Sequence, residues 1–399
     1  MSGFTSPVPG LPAPTLVDAR PSAVVYCEGN FAGIDGKTAN GLVRSSERYR
    51  IVAVIDSTCD SADAGVALGG QHAGIPVVAT LNAALAVVAR DSADIFAAAA
   101  RPDVFIFGLA PLSGLMSDGD RDAVLEAIDE GLDIVSGLHE FLADDVEIAL
   151  AADVAGVTLH DVRRPRPTKD LRMFDGAIDT VDCVRIAVLG TDGAIGKRTT
   201  CTILTEALNA AGIPTVMVGT GQTGLMQGAA YGVALDAIPA QFGVGELEGA
   251  VLAAWEAERP RVIVIEGQGA LSHPAYLSST VVLRAARPHG VILQHAPART
   301  VLSDYPDVAM PTAGSEVALI EMFGRTRVVG MTINHEDMTD VEVSAAVALH
   351  EAQLDLPVTD ALWRDPSELV VMVTGAFPAL MGEHVATGTD MAGPIVATA

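Results

Sequence analysis

The sequence predicts an α/β protein of two domains, each built on a mostly parallel sheet covered by helices. Three observations carry this expectation. Short β-branched runs alternate with Ala- and Leu-rich stretches of helical spacing, the pattern of strand–helix–strand units. A Gly-Lys loop, "VLGTDGAIGKRTT" (188–200), lies between one such strand and one such helix. The chain of 399 residues, 50% hydrophobic and 19% charged, is long and apolar enough to bury two cores.

In chain order, residues 1–21 are proline-rich and lack a basic start followed by an apolar run, so they read as a loose N-terminal extension. Residues 22–165 hold "AVVYC" (23–27), "IVAVID" (51–56), "IPVVAT" (75–80), "VFIFGL" (104–109) and "DIVSGL" (133–138). That series predicts a Rossmann-like doubly wound sheet. "DVRRPRPTKDLRMFDG" (161–176) breaks both periodicities, and residues 166–182 are expected to be a linker. Residues 183–399 hold "VRIAVLG" (184–190), "PTVMVG" (214–219), "VIVIEG" (262–267), "VILQH" (291–295), "VVGMTIN" (328–334) and "LVVMVTG" (369–375), read as strands of a P-loop NTPase-like parallel sheet.

Composition narrows the partners. With 24 Lys+Arg against 50 Asp+Glu, the net charge of −26 repels a phosphate backbone and an anionic membrane surface, so a small-molecule substrate is expected, without nucleic acid or membrane. A homo-oligomer is left open. Cys27, Cys59, Cys183 and Cys201 form no C-x-x-C pair and read as reduced thiols of a cytoplasmic protein, with no metal site expected. The longest uncharged stretch, 207–235, carries six glycines with Gln222 and Gln227, which argues against a membrane span.

The loop at 188–200 is the strongest chemical signal. A loop for ATP chemistry reads G-x-x-x-x-G-K-[ST], with backbone N–H groups on the phosphates and the last hydroxyl on Mg²⁺. Here five residues separate Gly190 from Gly196, and Arg198 stands where the hydroxyl belongs. One helical step of about 100° turns Thr199 away from the expected metal position. Gly190, Gly193 and Gly196 let the backbone approach an anion, the helix N-terminus adds donors, Lys197 supplies a point charge and Arg198 a fork. Thr191, Asp192, Thr199 and Thr200 complete the expected cofactor-binding set. A phosphate cradle with a weakened metal site suits a diphosphate that is bound but not cleaved. Coenzyme A carries one, along with a 3′-phosphate that Arg198 can help neutralise, and Mg²⁺ is not required.

Ligands of open parallel sheets bind beyond the carboxyl ends of the strands, where the remaining polar motifs also fall. "VGTGQTGLMQG" (218–228) presents Gln222 and Thr223 as candidate substrate contacts. "VIEGQGALSHPAY" (264–276) presents Glu266, Ser272 and His273. "TINHED" (332–337) presents Asn334, which either reads an adenine edge or caps the next turn. In the first domain, the glycines of 26–46 lack G-x-G-x-x-G spacing, a weak sign of NAD. Lys37 and Arg44 there are candidates for a substrate carboxylate or else surface charges, and His139 reads as a helix cap.

Together, "GTDGAIGKRTT", "VGTGQTG", "EGQGALSHPAY", "GKTANGL" and "GLHEFL" resemble a family of two-domain P-loop proteins of formerly unknown function. Members of that family are D-glutamate N-acetyltransferases using acetyl-CoA. The resemblance spans most of residues 22–380 and implies Gly196, Lys197, Arg198 and Thr199 as CoA phosphate contacts. A more distant similarity is to dethiobiotin synthetase, whose loop also begins G-T-D but follows G-K directly with Thr.

The expected function is therefore acetyl transfer from acetyl-CoA to the amino group of an acidic D-amino acid, D-glutamate foremost. The chemistry needs a neutral amine, a donor for the thioester oxyanion and exclusion of water. His273 is the expected general base with Glu266 orienting it or the amine, N–H groups near Gly221 or Gly269 meet the oxyanion, and Gln222 fixes a substrate carboxylate. The alternatives are an ATP-dependent ligase or kinase of the dethiobiotin synthetase-like class and a nucleotide-binding module without turnover.

Overall fold

The computed structural model describes residues 20–91 and 101–382; nearly all of the expected N-terminal extension lies outside them. The chain forms two compact units, one of residues 1–171 with 219–240 and the other of residues 172–218 with 241–399. Both are α/β with parallel sheets.

In the first unit, strands β1 (Ser22–Tyr26), β2 (Arg50–Ile55), β3 (Val77–Val78), β4 (Val104–Phe107), β5 (Asp133–Ser136) and β6 (Leu159–Asp161) form one sheet in the order β3-β2-β1-β4-β5-β6. Every pairing is parallel. β1 and β4 are buried throughout, as continuous apolar runs covered on both faces must be. The core joins Val24, Val25, Phe105, Ile106 and Ile134 to the helix residues Leu42, Val124, Ile128 and Ile148. β6, which the sequence reading did not include, has only three residues, none fully buried.

In the second unit, β7 (Val184–Gly190) lies between β10 (Val262–Glu266) and β11 (Gly290–His295). β8 (Thr215–Gly219) pairs with β10, β14 (Val328–Ile333) with β11, and β15 (Val358–Thr359) with β14, all parallel, while β9 is the two-residue strand Tyr231–Gly232. The helix Lys197–Ala210 buries Thr200, Cys201, Leu204 and Leu208, a stripe at helical spacing that packs on β7 and β10. The chain between β11 and β14 adds an antiparallel hairpin, β12 (Val301–Leu302) and β13 (Tyr305–Ala309).

One expectation needs correction here, and the expected linker acquires a definite place. "LVVMVTG" is a helix, Ser367–Ala376, with Leu369, Met372 and Val373 buried and Val371 exposed. The i, i+3, i+4 burial follows the helical period, which a short apolar run does not reveal by itself. Part of the expected linker, residues 172–180, is strapped onto the helix Ala240–Glu258. Buried Glu248 accepts hydrogen bonds from the N–H groups of Asp175 (3.1 Å) and Ile178 (3.1 Å), and Glu246 accepts one from Arg172 N–H (2.5 Å). The boundary between the two units, at Leu171/Arg172, falls within residues 166–182.

Candidate active site

The 188–200 loop leaves the central strand β7 between the ends of β10 and β11 and opens the helix Lys197–Ala210. Gly196 enters that helix at φ +99°, in the region that favours glycine. The hydrogen bond from Thr200 N–H to Gly196 C=O (2.9 Å) is the first turn of the helix. The amides before it have no acceptor within the helix and form its donor end. Lys197 is buried and its Nζ donates to the Asp192 carbonyl, so the side chain folds back along the loop. Thr200 is turned inward, its hydroxyl donating to Gln294 Oε1 at 2.6 Å. Thr332 donates to the same oxygen. Thr191 N–H bonds the Gln294 carbonyl (3.1 Å), and its hydroxyl lies 2.9 Å from His295 Nδ1. Thr199 and Arg198 are partly exposed at the start of the helix.

Asp192 is the most heavily used side chain of the loop. Fully buried, it accepts from Gly193 N–H (2.6 Å), Ser303 N–H (2.9 Å) and Arg299 Nη1 (2.9 Å). Arg299 also donates to the Gly193 carbonyl (3.0 Å) and forks onto Glu336 with contacts of 2.7 and 2.6 Å. Glu336 N–H in turn bonds Asn334 Oδ1 (3.1 Å). Asn334 thereby stands in a polar turn tied through Glu336 and Arg299 to the loop, with its Oδ1 accepting from the turn.

Glu266 ends β10 buried, and Gly267 follows it where a Cβ would lie 2.3 Å from the Val188 carbonyl, so the first glycine of "EGQG" is required by the close approach of β7. Glu266, Lys197 and Arg198 all act electrostatically on the buried Cys201 thiol, whose pKa burial pushes well up. Thus the strand-end carboxylate and the loop cations share one neighbourhood. Ser272 donates to Glu316 Oε2 (2.6 Å), and Glu316 also accepts from Ser272 N–H (3.2 Å) and Leu271 N–H. Ser272 is accordingly an anchor for the 267–276 loop.

His273 is buried. Its ring stacks on Tyr276 (centroids 4.3 Å apart, planes at 20°) and meets Tyr305 edge-on at 5.7 Å. Nδ1 accepts a hydrogen bond from Ala275 N–H at 3.2 Å. Nε2 is buried without a hydrogen-bond partner among the described residues, and Asp192 Oδ1 lies 4.0 Å away. Burial lowers the imidazole pKa, while Asp192 and Asp304 oppose the shift and Lys197 reinforces it. Tyr276 is itself fixed by its hydroxyl on Asp304 Oδ2 (2.6 Å). Burial and Asp304 together push that phenol upward.

The other sequence candidates belong to the first unit. Lys37 and Arg44 begin and end the helix Lys37–Arg44, exposed and two turns apart, while Thr38, Ala39, Gly41 and Leu42 face inward. Gln222 and Thr223 begin a helix, Gln222–Gln227, that docks on it: Thr223 Oγ1 lies 2.9 Å from Thr38 Oγ1, and Gln227 Nε2 bonds the carbonyls of Gly41 (2.5 Å) and Ser45 (2.6 Å). Gly221, one of the two oxyanion candidates, is the N-cap of that helix, whereas Gly269 lies in the His273 loop of the second unit. His139 contacts Arg163, which pairs with Asp236 at 2.9 Å. Asp56, which would meet a ribose in a dinucleotide fold, accepts from Gly29 N–H (3.0 Å), Phe31 N–H (2.9 Å) and Thr58 N–H (2.9 Å), so the loop itself uses that carboxylate. No helix among the described residues is long and apolar enough to cross a membrane.

Comparison with known proteins agrees with this architecture. Residues 57–165 match the family model described as a domain of unknown function, DUF1611_N, Rossmann-like domain. Residues 172–370 match its companion, DUF1611_C, P-loop domain. The chain is 31% identical over 281 residues to a D-glutamate N-acetyltransferase of Tritonibacter scottomollicae, covering 69% of this chain and 82% of that one. It belongs to the DUF1611 family. A second relative in Pseudoalteromonas sp, with the same name, is 27% identical over 67% of this chain and 80% of its own. A solved DUF1611 structure from Anabaena variabilis superposes with a TM-score of 0.79 at 29% identity, covering 89% of this chain and all of the other. Two relatives of this chain are thus named as N-acetyltransferases.

Arg299, Ser303, Asp304, Tyr276, Gln294 and Glu316 escaped the sequence reading. Arg299, Ser303 and Asp304 lie in or beside the hairpin after β11, Gln294 within β11, Glu316 in the helix Ala313–Gly324 and Tyr276 in the loop after β10, and no spacing rule links residues so scattered.

Proposed function

We propose that the chain is an N-acetyltransferase that carries an acetyl group from acetyl-CoA to the amino group of an acidic D-amino acid, with D-glutamate the first candidate. The names of two relatives support the reaction class. The observation that carries the reading is a glycine–lysine loop with Arg198 in the hydroxyl position, its Asp192 only 4.0 Å from the buried Nε2 of His273, which has no hydrogen-bond partner among the described residues.

Acetyl-CoA needs an anion cradle for its diphosphate and a dry polarising group for its thioester; the 188–200 loop offers the first and His273 the second, and because Nε2 lies 4.0 Å from Asp192 of that loop the pantetheine arm has to fold back on itself to reach both. Loop amides, Lys197 and Arg198 would hold the diphosphate, with Arg198 adding a fork suited to phosphate oxygens. His273 is sheltered from water, where a hydrogen bond to developing charge is stronger than in solvent. Glu266, buried and in the same neighbourhood as Lys197, is the carboxylate to take the proton from the acceptor's ammonium. Bound acetyl-CoA supplies the activated acyl carbon. The chain's residues hold it, exclude water and manage the protons.

The test is thiol release from acetyl-CoA against a panel of D- and L-amino acids. D-glutamate or a close acidic analogue is expected to stimulate release well above the other members. Release independent of every amino acid would contradict the assignment of an amine acceptor.

A further inference from the structure

We infer that His273 is the hydrogen-bond donor to the thioester oxygen in acetyl transfer and not the base that deprotonates the amine; this rests on the acetyltransferase reading above. A neutral imidazole carries one proton, and the nitrogen that accepts a hydrogen bond is the bare one. Ala275 N–H donates to Nδ1 at 3.2 Å, so the proton resides on Nε2. The ring cannot readily trade the two nitrogens by turning over, because Tyr276 stacks on one face at 4.3 Å and Tyr305 abuts at 5.7 Å, with Tyr276 tethered to Asp304.

The Nε2–H so defined is buried and has no acceptor among the described residues. Asp192 Oδ1, at 4.0 Å, lies beyond hydrogen-bond reach, and its carboxylate is already engaged by Gly193, Ser303 and Arg299. A buried donor without a partner is costly and is retained where a ligand completes it. The charged and titratable groups acting on the ring are Asp192 and Asp304 on one side of the balance and Lys197 on the other, with Tyr276 and Tyr305 packed against it.

In the step this donor serves, the amine nitrogen bonds to the acyl carbon and the C=O π pair moves to oxygen. Nε2–H hydrogen-bonds that oxyanion without giving up its proton. As C=O re-forms, the C–S bond breaks; the base gives the CoA thiolate the proton it took from the ammonium and accepts the second proton from the nitrogen, which then leaves to solvent. His273 leaves the cycle as it entered.

A glutamine at 273 can place an amide N–H near the Nε2 position but offers no imidazole base. In the full chain, with acetyl-CoA and the best amine acceptor, His273→Gln is expected to keep thiol-release kcat within about tenfold of wild type with an unchanged acid limb of the pH–rate profile. His273→Ala is expected to lose about a hundredfold to a thousandfold in kcat with little change in KM for acetyl-CoA. Equal, severe loss in both folded variants, with the acid limb abolished, would overturn the assignment and make His273 the base. The ¹⁵N shifts of the wild-type imidazole near neutral pH read the tautomer without any variant: protonated Nε2 supports the inference, and protonated Nδ1 overturns it. Wild-type chain that releases no thiol with any amine defeats the acetyltransferase reading and this role with it, whereas thiol release with a dead His273→Gln defeats the role alone.

Discussion

Arg299 places Nη1 2.9 Å from Asp192 Oδ2 while its other edge forks onto Glu336, so one guanidinium fastens the 188–200 loop to the turn after β14. The contact is largely desolvated, with the Asp192 side chain fully buried and that of Arg299 at 12% exposure. Removing one partner of such a pair leaves the other charge uncompensated, which costs about 3–5 kcal/mol. Arg299→Ala is therefore expected to lower the urea midpoint clearly and to weaken acetyl-CoA binding, because the loop loses its outer clamp. Arg299→Lys keeps the charge, loses the fork and is expected to fall between the two. An Arg299→Ala protein with unchanged midpoint and unchanged affinity would show that the clamp holds nothing in place.

Lys197 bears on both folding and binding. It is buried with its Nζ on the Asp192 carbonyl, so Lys197→Ala is expected to cost about 1–3 kcal/mol of stability while the chain still folds. Loss of one charge-assisted phosphate contact costs about 1.5–3 kcal/mol, roughly tenfold to a hundredfold in acetyl-CoA affinity by calorimetry. A folded variant that binds acetyl-CoA as wild type does would move the phosphate site elsewhere.

His295 makes the second unit acid-sensitive. Buried beside His350, it has a pKa pulled down from 6.5 to about 4, with burial the main cause and the neighbouring imidazole the second. The folded value lies below the unfolded one, so between those values the unfolded chain binds more protons. The contribution of this residue is full above pH 6.5 and is lost as pH falls toward 4, on the order of 3 kcal/mol in all. Urea unfolding between pH 7.5 and 4.5 is expected to show stability falling through that window, and His295→Gln to flatten the fall. An equally steep fall in the variant would assign the acid sensitivity to other groups.

Much of this was legible in the sequence because its physics is local. Alternating apolar runs, the glycines of the 188–200 loop and the burial stripe of the helix behind it all act over a few residues. β-branched residues likewise predicted β7, β8, β10, β11 and β14. The helix Ser367–Ala376 was misread because seven apolar and small residues in a row carry no period until a neighbour selects one face. The grouping of Gln222 and Thr223 with the first unit was also hidden, since it depends on Thr38, 185 residues away in the chain from Thr223. Likewise, the proton position on His273 depends on one backbone N–H, that of Ala275, whose direction only the folded loop supplies.

The central claim is that the loop binds acetyl-CoA for acetyl transfer, with Arg198 replacing the hydroxyl of a metal-dependent loop. The most direct measurement follows free CoA thiol and N-acetylated D-glutamate together, in excess EDTA and without ATP. The account predicts that both accumulate in a one-to-one ratio and that ADP inhibits competitively against acetyl-CoA. Mg²⁺-dependent release of ADP from ATP, stimulated by an amine or carboxylate with no thiol freed from acetyl-CoA, would contradict it.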